Sequence, residues 1–147
     1  MSTKILCVDD EPNILAGYRR SLRKQFEIET APGGAEALAM IAEGGPYAVL
    51  VTDMRMPGMD GIQFLREAQR VAPDSVRIML TGNADQQTAA GAVNEGRIFR
   101  FLNKPCPAED LAHALAAGLE QYRLVTAEKE LLEKTLGGTI RMMMEIR

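Results

Sequence analysis

The chain has 147 residues, of which 46% are hydrophobic; this supports one packed domain with an appendage and excludes global disorder. Its net charge of −3 gives no electrostatic reason to expect nucleic acid or an anionic membrane as a partner. No apolar run in the sequence is long enough to cross a bilayer.

Five apolar runs of strand length recur along the chain, at residues 5–8, 26–30, 48–52, 76–80 and 98–102. The third and fourth runs, AVLVT and VRIML, are nearly continuous apolar stretches. Such stretches are typical of parallel strands that are buried on both faces.

Apolar residues between these runs recur at helical spacing, which predicts amphipathic helices. The stripes are Ile14, Leu15, Tyr18 and Leu22; then Ala35, Leu38, Ala39 and Ile41; then Ile62, Leu65, Ala68 and Val71. A weak Ala-rich helix is predicted over 84–96, and a longer helix begins near Leu111. Strands that alternate with helices predict an α/β fold in which five βα units fill residues 1–122 around a parallel sheet.

Polar side chains stand at the carboxyl ends of four predicted strands. Asp9 and Asp10 follow the first strand, Asp53 the third, Thr81 the fourth and Lys104 the fifth. Ligands of open α/β sheets bind outside these ends, so the five side chains form a candidate site. The second strand ends in TAPGG and offers nothing comparable, as expected of an edge strand.

The stretch KILCVDDEPN places Asp9, Asp10 and Glu11 together directly after an apolar strand. Like charges this close repel one another, and burial increases the penalty. One interpretation is that the acids cap a helix beginning near Pro12, because a helix N-terminus favours negative charge. The other is a cation site shared with Asp53, for which Mg²⁺ is suited as a hard cation with oxygen ligands.

Asp53 stands alone at its strand end and is the candidate nucleophile. A carboxylate that attacks a phosphoryl group forms an aspartyl phosphate. Mg²⁺ and the ammonium group of Lys104 would neutralise charge on the phosphoryl oxygens, and the Thr81 hydroxyl would donate a hydrogen bond. Thr81 alone could be a turn residue and Lys104 alone a solvated charge, but their joint placement favours the phosphoryl site.

The segments VDDEP, TDMRMPGMDG, LTG and FLNKP, in this order over residues 1–122, resemble the receiver domain of bacterial two-component response regulators. The resemblance implies a flavodoxin-like (βα)₅ doubly wound sheet of strand order 2-1-3-4-5. It implies Mg²⁺-dependent phosphorylation at Asp53 by a sensor histidine kinase or a phosphotransfer protein of a phosphorelay. Self-phosphorylation and autodephosphorylation at Asp53 are then the only chemistry expected, without turnover of a separate substrate.

The resemblance also implies a ligand set for the metal ion. Asp10, Asp53 and the backbone carbonyl of Arg55 would be direct Mg²⁺ ligands. Asp9 would act through a water molecule.

Further roles follow from the same resemblance. Lys104 would contact the phosphoryl group. The bond between this lysine and the proline that follows it is typically cis in the family. Thr81 would be the switch hydroxyl, and Phe101 would be the switch aromatic, without the hydroxyl of a tyrosine. Arg55 and Asn83 would border the phosphoryl group and modulate the access of water.

Three rival classes fit the sequence less well. A haloacid-dehalogenase-like phosphatase needs a second Asp two positions after the nucleophile, where this chain has Arg55. A dinucleotide-binding domain needs G-x-G-x-x-G after the first strand, and DDEPNI contains no glycine. A non-enzymatic interaction domain that has lost its site is the third class, but every site position is present here. A Mg²⁺ titration would separate the two, because a lost site would not respond.

Residues 123–147 extend the last helix beyond what a receiver needs and are predicted to be a helical linker or coiled-coil stub before an output domain outside this chain. ELLEKTLGGTIRMMMEI is similar to the segment that leads into HD-type output domains, the metal-dependent phosphohydrolase class. The alternatives are a solvated helix and a stand-alone receiver that acts by docking alone.

Alternating spacings of three and four predict one heptad seam on this helix and therefore a parallel homodimer. The seam positions are Tyr122, Val125, Lys129, Leu132, Leu136, Thr139, Met143 and Ile146. Two of these residues are polar, and Gly137 and Gly138 each cost about 1 kcal/mol of helix propensity, so the helix alone should be a marginal dimer.

The N-terminus lacks the apolar region and cleavage site of a secretory signal. The two cysteines, Cys7 and Cys106, show neither a disulfide framework nor metal-ligand spacing. A cytoplasmic chain with reduced thiols is the expectation.

Overall fold

The structure is a computed structural model that describes residues 2–82 and 98–145, with the side chains of the last helix described as far as residue 135. The Ala-rich helix predicted over 84–96 and the predicted modulating residue Asn83 lie outside the described residues.

The described residues form a five-stranded parallel sheet in the order β2-β1-β3-β4-β5. The strands are β1 (Lys4–Val8), β2 (Glu27–Ala31), β3 (Val49–Asp53), β4 (Val76–Thr81) and β5 (Arg100–Asn103). The predicted fold class, strand order and edge position of the second strand are confirmed. Strand boundaries differ from the prediction by one or two residues, because β3 and β4 include Asp53 and Thr81 and β5 begins at Arg100 rather than at residue 98.

Four helices are present in the described part of the chain: α1 (Pro12–Leu22), α2 (Gly34–Gly44), α3 (Gly61–Val71) and α4 (Ala108–Glu145). α1 opens with a proline, whose fixed φ suits the first helical turn. α3 opens with a capping box between Asp60 and Gln63. The Gln63 amide donates to Asp60 Oδ1 at 2.8 Å, and the Asp60 amide donates to Gln63 Oε1 at 3.0 Å.

Two apolar layers, one on each face of the sheet, form the core. In one layer, α1 and α4 contribute Leu15, Leu22, Leu111, Ala114, Leu115 and Tyr122. In the other, α2 and α3 contribute Ala37, Ile41, Phe64, Leu65 and Ala68. Successive strand residues serve opposite layers, as in the pair Leu6 and Cys7. Burial raises the pKa of the Cys7 thiol to about 12, so this side chain packs as a small apolar residue.

The predicted helical stripes are partly wrong for all three helices. In α1 Leu15 and Leu22 are buried, whereas Ile14 is 37% exposed. In α2 the buried alanine is Ala37, whereas Ala35 and Ala39 are exposed. In α3 Phe64 is fully buried, whereas Val71, the last helical residue, is 59% exposed. Alanine fits either face of a helix, so the sequence of α2 did not define which face meets the sheet.

α4 is a continuous helix of 38 residues that passes through Gly137 and Gly138. Tyr122 is 6% exposed and belongs to the core, while the leucines that follow it, Leu124, Leu131 and Leu132, are exposed. Among the helices of the described residues, none combines the length and apolar character needed to cross a bilayer.

Candidate functional site

The carboxyl ends of the central strands meet at one edge of the sheet because the strands are parallel and in register. Val8 pairs with Thr52 across β1 and β3, and Asp53 pairs with Leu80 across β3 and β4. Thr81 pairs with Asn103 across β4 and β5. This register brings the predicted site residues of four strands together.

Three carboxylates form the acidic part of the site. Asp9, Asp10 and Asp53 each offer one oxygen, and these oxygens lie within 4.8 Å of one another. Asp9 Oδ1 accepts a hydrogen bond from the Glu11 amide at 2.9 Å, whereas the buried Asp9 Oδ2 has no hydrogen-bond partner among the described residues. A buried oxygen without a donor, next to two further carboxylates, fits a ligand set for a hard cation such as Mg²⁺.

The helix-cap interpretation of these acids is wrong. Glu11 is the residue before α1, and its side chain makes no capping hydrogen bond. Asp9 and Asp10 instead belong to the acidic cluster with Asp53.

Burial is the main reason why the pKa of Asp9 is raised above its ordinary value. The neighbouring charges of Asp53 and Asp10 raise it further, while the Glu11 amide and the Lys104 ammonium lower it. Asp9 is only 1% exposed, so its charged form is unfavourable until a cation balances it.

Lys104 supplies the positive side of the site. Its Nζ lies 2.7 Å from Asp53 Oδ1, and its backbone amide donates to the Thr81 carbonyl at 2.9 Å. The Lys104–Pro105 bond is cis, as the family resemblance implies. Asp53 thus stands between an ammonium group and two carboxylates, which is the arrangement that an acceptor of an anionic group requires.

The remaining predicted residues surround this centre. Thr81 is buried at the end of β4, and Arg55 is exposed in the loop after β3. Phe101 is half-buried and packs against the core layer under α2 and α3. Asn83 lies outside the described residues, so its predicted position beside the phosphoryl group is not described.

Gly61 is a site residue that the sequence pattern did not single out. Its amide donates to the Met54 carbonyl at 2.7 Å, and a Cβ placed on it would lie 2.2 Å from the backbone oxygen of Asp53. The start of α3 is therefore pressed against the backbone of the candidate nucleophile. The sequence carries two signals for it: Gly61 is the last residue of the segment TDMRMPGMDG, and the capping box of Asp60 and Gln63 marks where the helix starts.

A family model described as the response regulator receiver domain matches residues 5–116. The chain belongs to this family. The receiver is 48% identical to an adenylate cyclase from Rhodopirellula baltica, with a TM-score of 0.88 over 91% of this chain and 99% of that one. It is 31% identical to the signal receiver domain of an HD domain-containing protein from Pseudomonas fluorescens Pf-5, with a TM-score of 0.77 over 84% of this chain and 98% of that one.

Among curated proteins, the hydrogenase transcriptional regulatory protein HoxA of Cupriavidus necator is 33% identical over 120 residues. The match covers 82% of this chain, and the chain spans 25% of the length of HoxA. Phosphorylation, Mg²⁺ binding at an acidic pocket, switching of an output domain and interaction with sensor kinases are general for receivers. The predicted family is confirmed.

The acidic cluster predicts opposite effects of Asp9→Asn with and without Mg²⁺. Without the ion, we expect the variant to be more stable than the parent by about 1 kcal/mol, because one of three clustered carboxylates loses its charge. With Mg²⁺, we expect the parent to gain thermal stability and the variant to bind the ion about tenfold more weakly. Thermal unfolding across a Mg²⁺ series measures both effects. Glu43→Gln, at an exposed acid of α2, is the matched control, and equal responses of all three proteins would contradict the metal site.

Proposed function

We propose that this chain is a phosphoacceptor receiver in which Asp53 carries the phosphoryl group. The observation that supports this is the position of Asp53, whose carboxylate meets Asp9 and Asp10 on one side and Lys104 Nζ at 2.7 Å on the other. Asp9, Asp10, Asp53 and the backbone carbonyl of Arg55 would hold Mg²⁺. When bound, the ion would neutralise charge on the phosphoryl oxygens.

The reaction requires little from the protein beyond positioning and charge. An oxygen of Asp53 attacks the phosphorus atom, and the bond from phosphorus to the imidazole of a donor histidine breaks as the new P–O bond forms. Lys104 exchanges its contact with Asp53 for one with a phosphoryl oxygen. Hydrolysis of the acyl phosphate by water then returns Asp53 and inorganic phosphate.

The phosphorylated site would be sensed through Thr81 and Phe101. A Thr81 hydroxyl drawn toward a phosphoryl oxygen vacates space, and the half-buried ring of Phe101 then moves inward. Such a change shifts a pre-existing equilibrium between two conformations. The surface that follows would include β5 with Arg100 and the first part of α4.

Beryllofluoride, which mimics a phosphoryl group on a carboxylate, tests this switch. We expect backbone NMR shifts to extend from the pocket to Phe101 and Arg100 in the parent. In Thr81→Ala, the shifts at β5 should fall to less than about half, because the hydrogen bond that starts the movement is lost. Thr3→Ala, at an exposed threonine on the opposite edge, should behave as the parent. Shifts confined to the acidic pocket in the parent would contradict the switch.

An output domain after α4 is the second part of the proposal, with residues 1–122 as the receiver and 123–147 as the linker. Two enzyme classes are candidates. HD-type phosphohydrolase is supported by the sequence of the linker and by the Pseudomonas fluorescens relative, and nucleotide cyclase by the more similar Rhodopirellula baltica chain. In any longer protein that carries this chain, cyclic nucleotide formation and phosphodiester hydrolysis, each measured with and without acetyl phosphate, separate the two classes. The alternative is a stand-alone receiver that acts by docking.

We propose a sensor histidine kinase or a phosphotransfer protein as the donor, a cytoplasmic location, and a parallel homodimer through α4. The exposed apolar residues of α4 after Tyr122 support the dimer. Two residues of the predicted seam are already in contact with the receiver. Tyr122 lies in its core, and Lys129 pairs with Asp74.

A further inference from the structure

The stripe of α4 that heptad spacing assigns to a partner helix is divided between two environments. Tyr122 is buried in the core of its own receiver, and Val125 lies half-buried beside the loop that leads into β4. Lys129 Nζ lies 2.9 Å from Asp74 Oδ2 in that loop. The next seam residue, Leu132, is 55% exposed. The first three seam residues therefore lie against the receiver, whereas the fourth, Leu132, lies in solvent.

The contact beyond Tyr122 is weak. No side chain of α4 between Tyr122 and residue 135 is fully buried. A groove of about 880 Å³ separates this part of α4 from the edge formed by Ser2, Lys4 and Glu27. Both partners of the Asp74–Lys129 pair are partly exposed, and an ion pair of this kind alters an equilibrium by no more than about fivefold. A small free energy is therefore enough to release this stretch of helix.

We propose that the Asp74–Lys129 contact, together with the half-buried Val125, is an autoinhibitory latch that competes with dimerisation. The proposal rests on the dimer through α4 proposed above. The same stripe lies either against its own receiver or against a second copy of the chain, because its side chains point to one side of the helix. The occupant that competes with the receiver is therefore the α4 helix of a second copy.

Charge favours the latched form, whereas burial of apolar area favours the dimer. In a parallel dimer each seam residue lies beside its own counterpart, so Lys129 would face a second Lys129 and repel it. In the latched form Asp74 neutralises that charge. Leu132 gains burial only in the dimer. Asp74 lies in the loop two residues before β4, and Thr81 ends that strand, so one strand joins the latch to the switch residue.

The full chain with Asp74→Asn tests the latch without a change in the seam. We expect the dimer dissociation constant, measured by sedimentation equilibrium, to fall about two- to fivefold, because the ion pair that holds the latched form is lost. Asp74→Lys combined with Lys129→Glu restores an ion pair and should return the constant to the parent value. Glu67→Gln removes an exposed acid that pairs with Arg70 on α3, and this control should change nothing.

Leu132→Asp identifies the dimer surface, since this exposed residue can change without loss of the fold. If Leu132→Asp weakens the dimer while Asp74→Asn leaves it unchanged, the dimer stands and the latch is wrong. If parent and variants all remain monomeric at high concentration, both the latch and the dimer are wrong. The proposed phosphorylation of Asp53 is measured separately, by intact-mass spectrometry, so neither result bears on it.

Discussion

Asp53→Asn is expected to abolish the gain in mass that the parent shows when it is incubated with acetyl phosphate and Mg²⁺. The amide has nearly the shape of the carboxylate but lacks its negative charge, so it cannot attack phosphorus at a useful rate. The parent should gain one phosphoryl group, and intact-mass spectrometry reads the difference directly. Removal of Mg²⁺ with a chelator should suppress the gain in the parent, because the clustered carboxylates would repel an anionic donor.

Asp110→Asn is the matched control for this experiment. Asp110 is an exposed acid in the first turn of α4, and its substitution should leave the phosphoryl gain unchanged. If Asp53→Asn gains the group as readily as the parent, another acid is the nucleophile, and peptide mapping would examine Asp9 and Asp10 first.

Gly61→Ala is the second substitution for which we expect a large effect. A Cβ at this position would lie 2.2 Å from the Asp53 oxygen and 2.9 Å from the Met54 Cα, and both are backbone atoms that cannot rotate away. We expect the free energy of unfolding, measured with urea, to fall by about 2–4 kcal/mol. Mg²⁺ affinity should also fall, because α3 can make room only by shifting the backbone that carries Asp53.

Gly17→Ala separates this steric effect from the general effect of replacing a glycine. Gly17 lies inside α1, and a Cβ there meets nothing within 4 Å. That variant should gain about 0.5–1 kcal/mol, the usual advantage of alanine in a helix. A Gly61→Ala variant as stable as the parent would mean that the loop after β3 adjusts freely, and the close approach would then have no role in holding the site.

The sheet and the site could be predicted because both depend on patterns that are local in sequence. Apolar runs that end in a polar residue define the strands, and parallel topology brings their carboxyl ends together without any knowledge of the loops. Asp9, Asp53, Thr81 and Lys104 were therefore found from position alone. The helix-cap interpretation was excluded only by the structure, because it depends on which atoms the acidic side chains meet.

Contacts between distant segments could not be predicted in the same way. The heptad spacing of α4 describes the helix in isolation, so it cannot tell that Lys129 lies beside Asp74, 55 residues away. Gly61 was missed for a similar reason, since its constraint comes from the Asp53 backbone in another element. Periodicity indicates which face of a helix is apolar, but not what covers that face.

Because α4 is long, a small tilt of the helix at the receiver would displace its far end by a larger distance. From Lys129 to Glu145 the helix extends about 24 Å at a rise of 1.5 Å per residue. A tilt of about 10° at the base would carry the far end of such a rod through about 4 Å, whereas the atoms at the pivot would scarcely move. The glycines at 137 and 138 are the most compliant point along the rod. The stiffness of that short stretch, rather than the size of the rearrangement at the pocket, then sets how much of the tilt reaches anything attached beyond it.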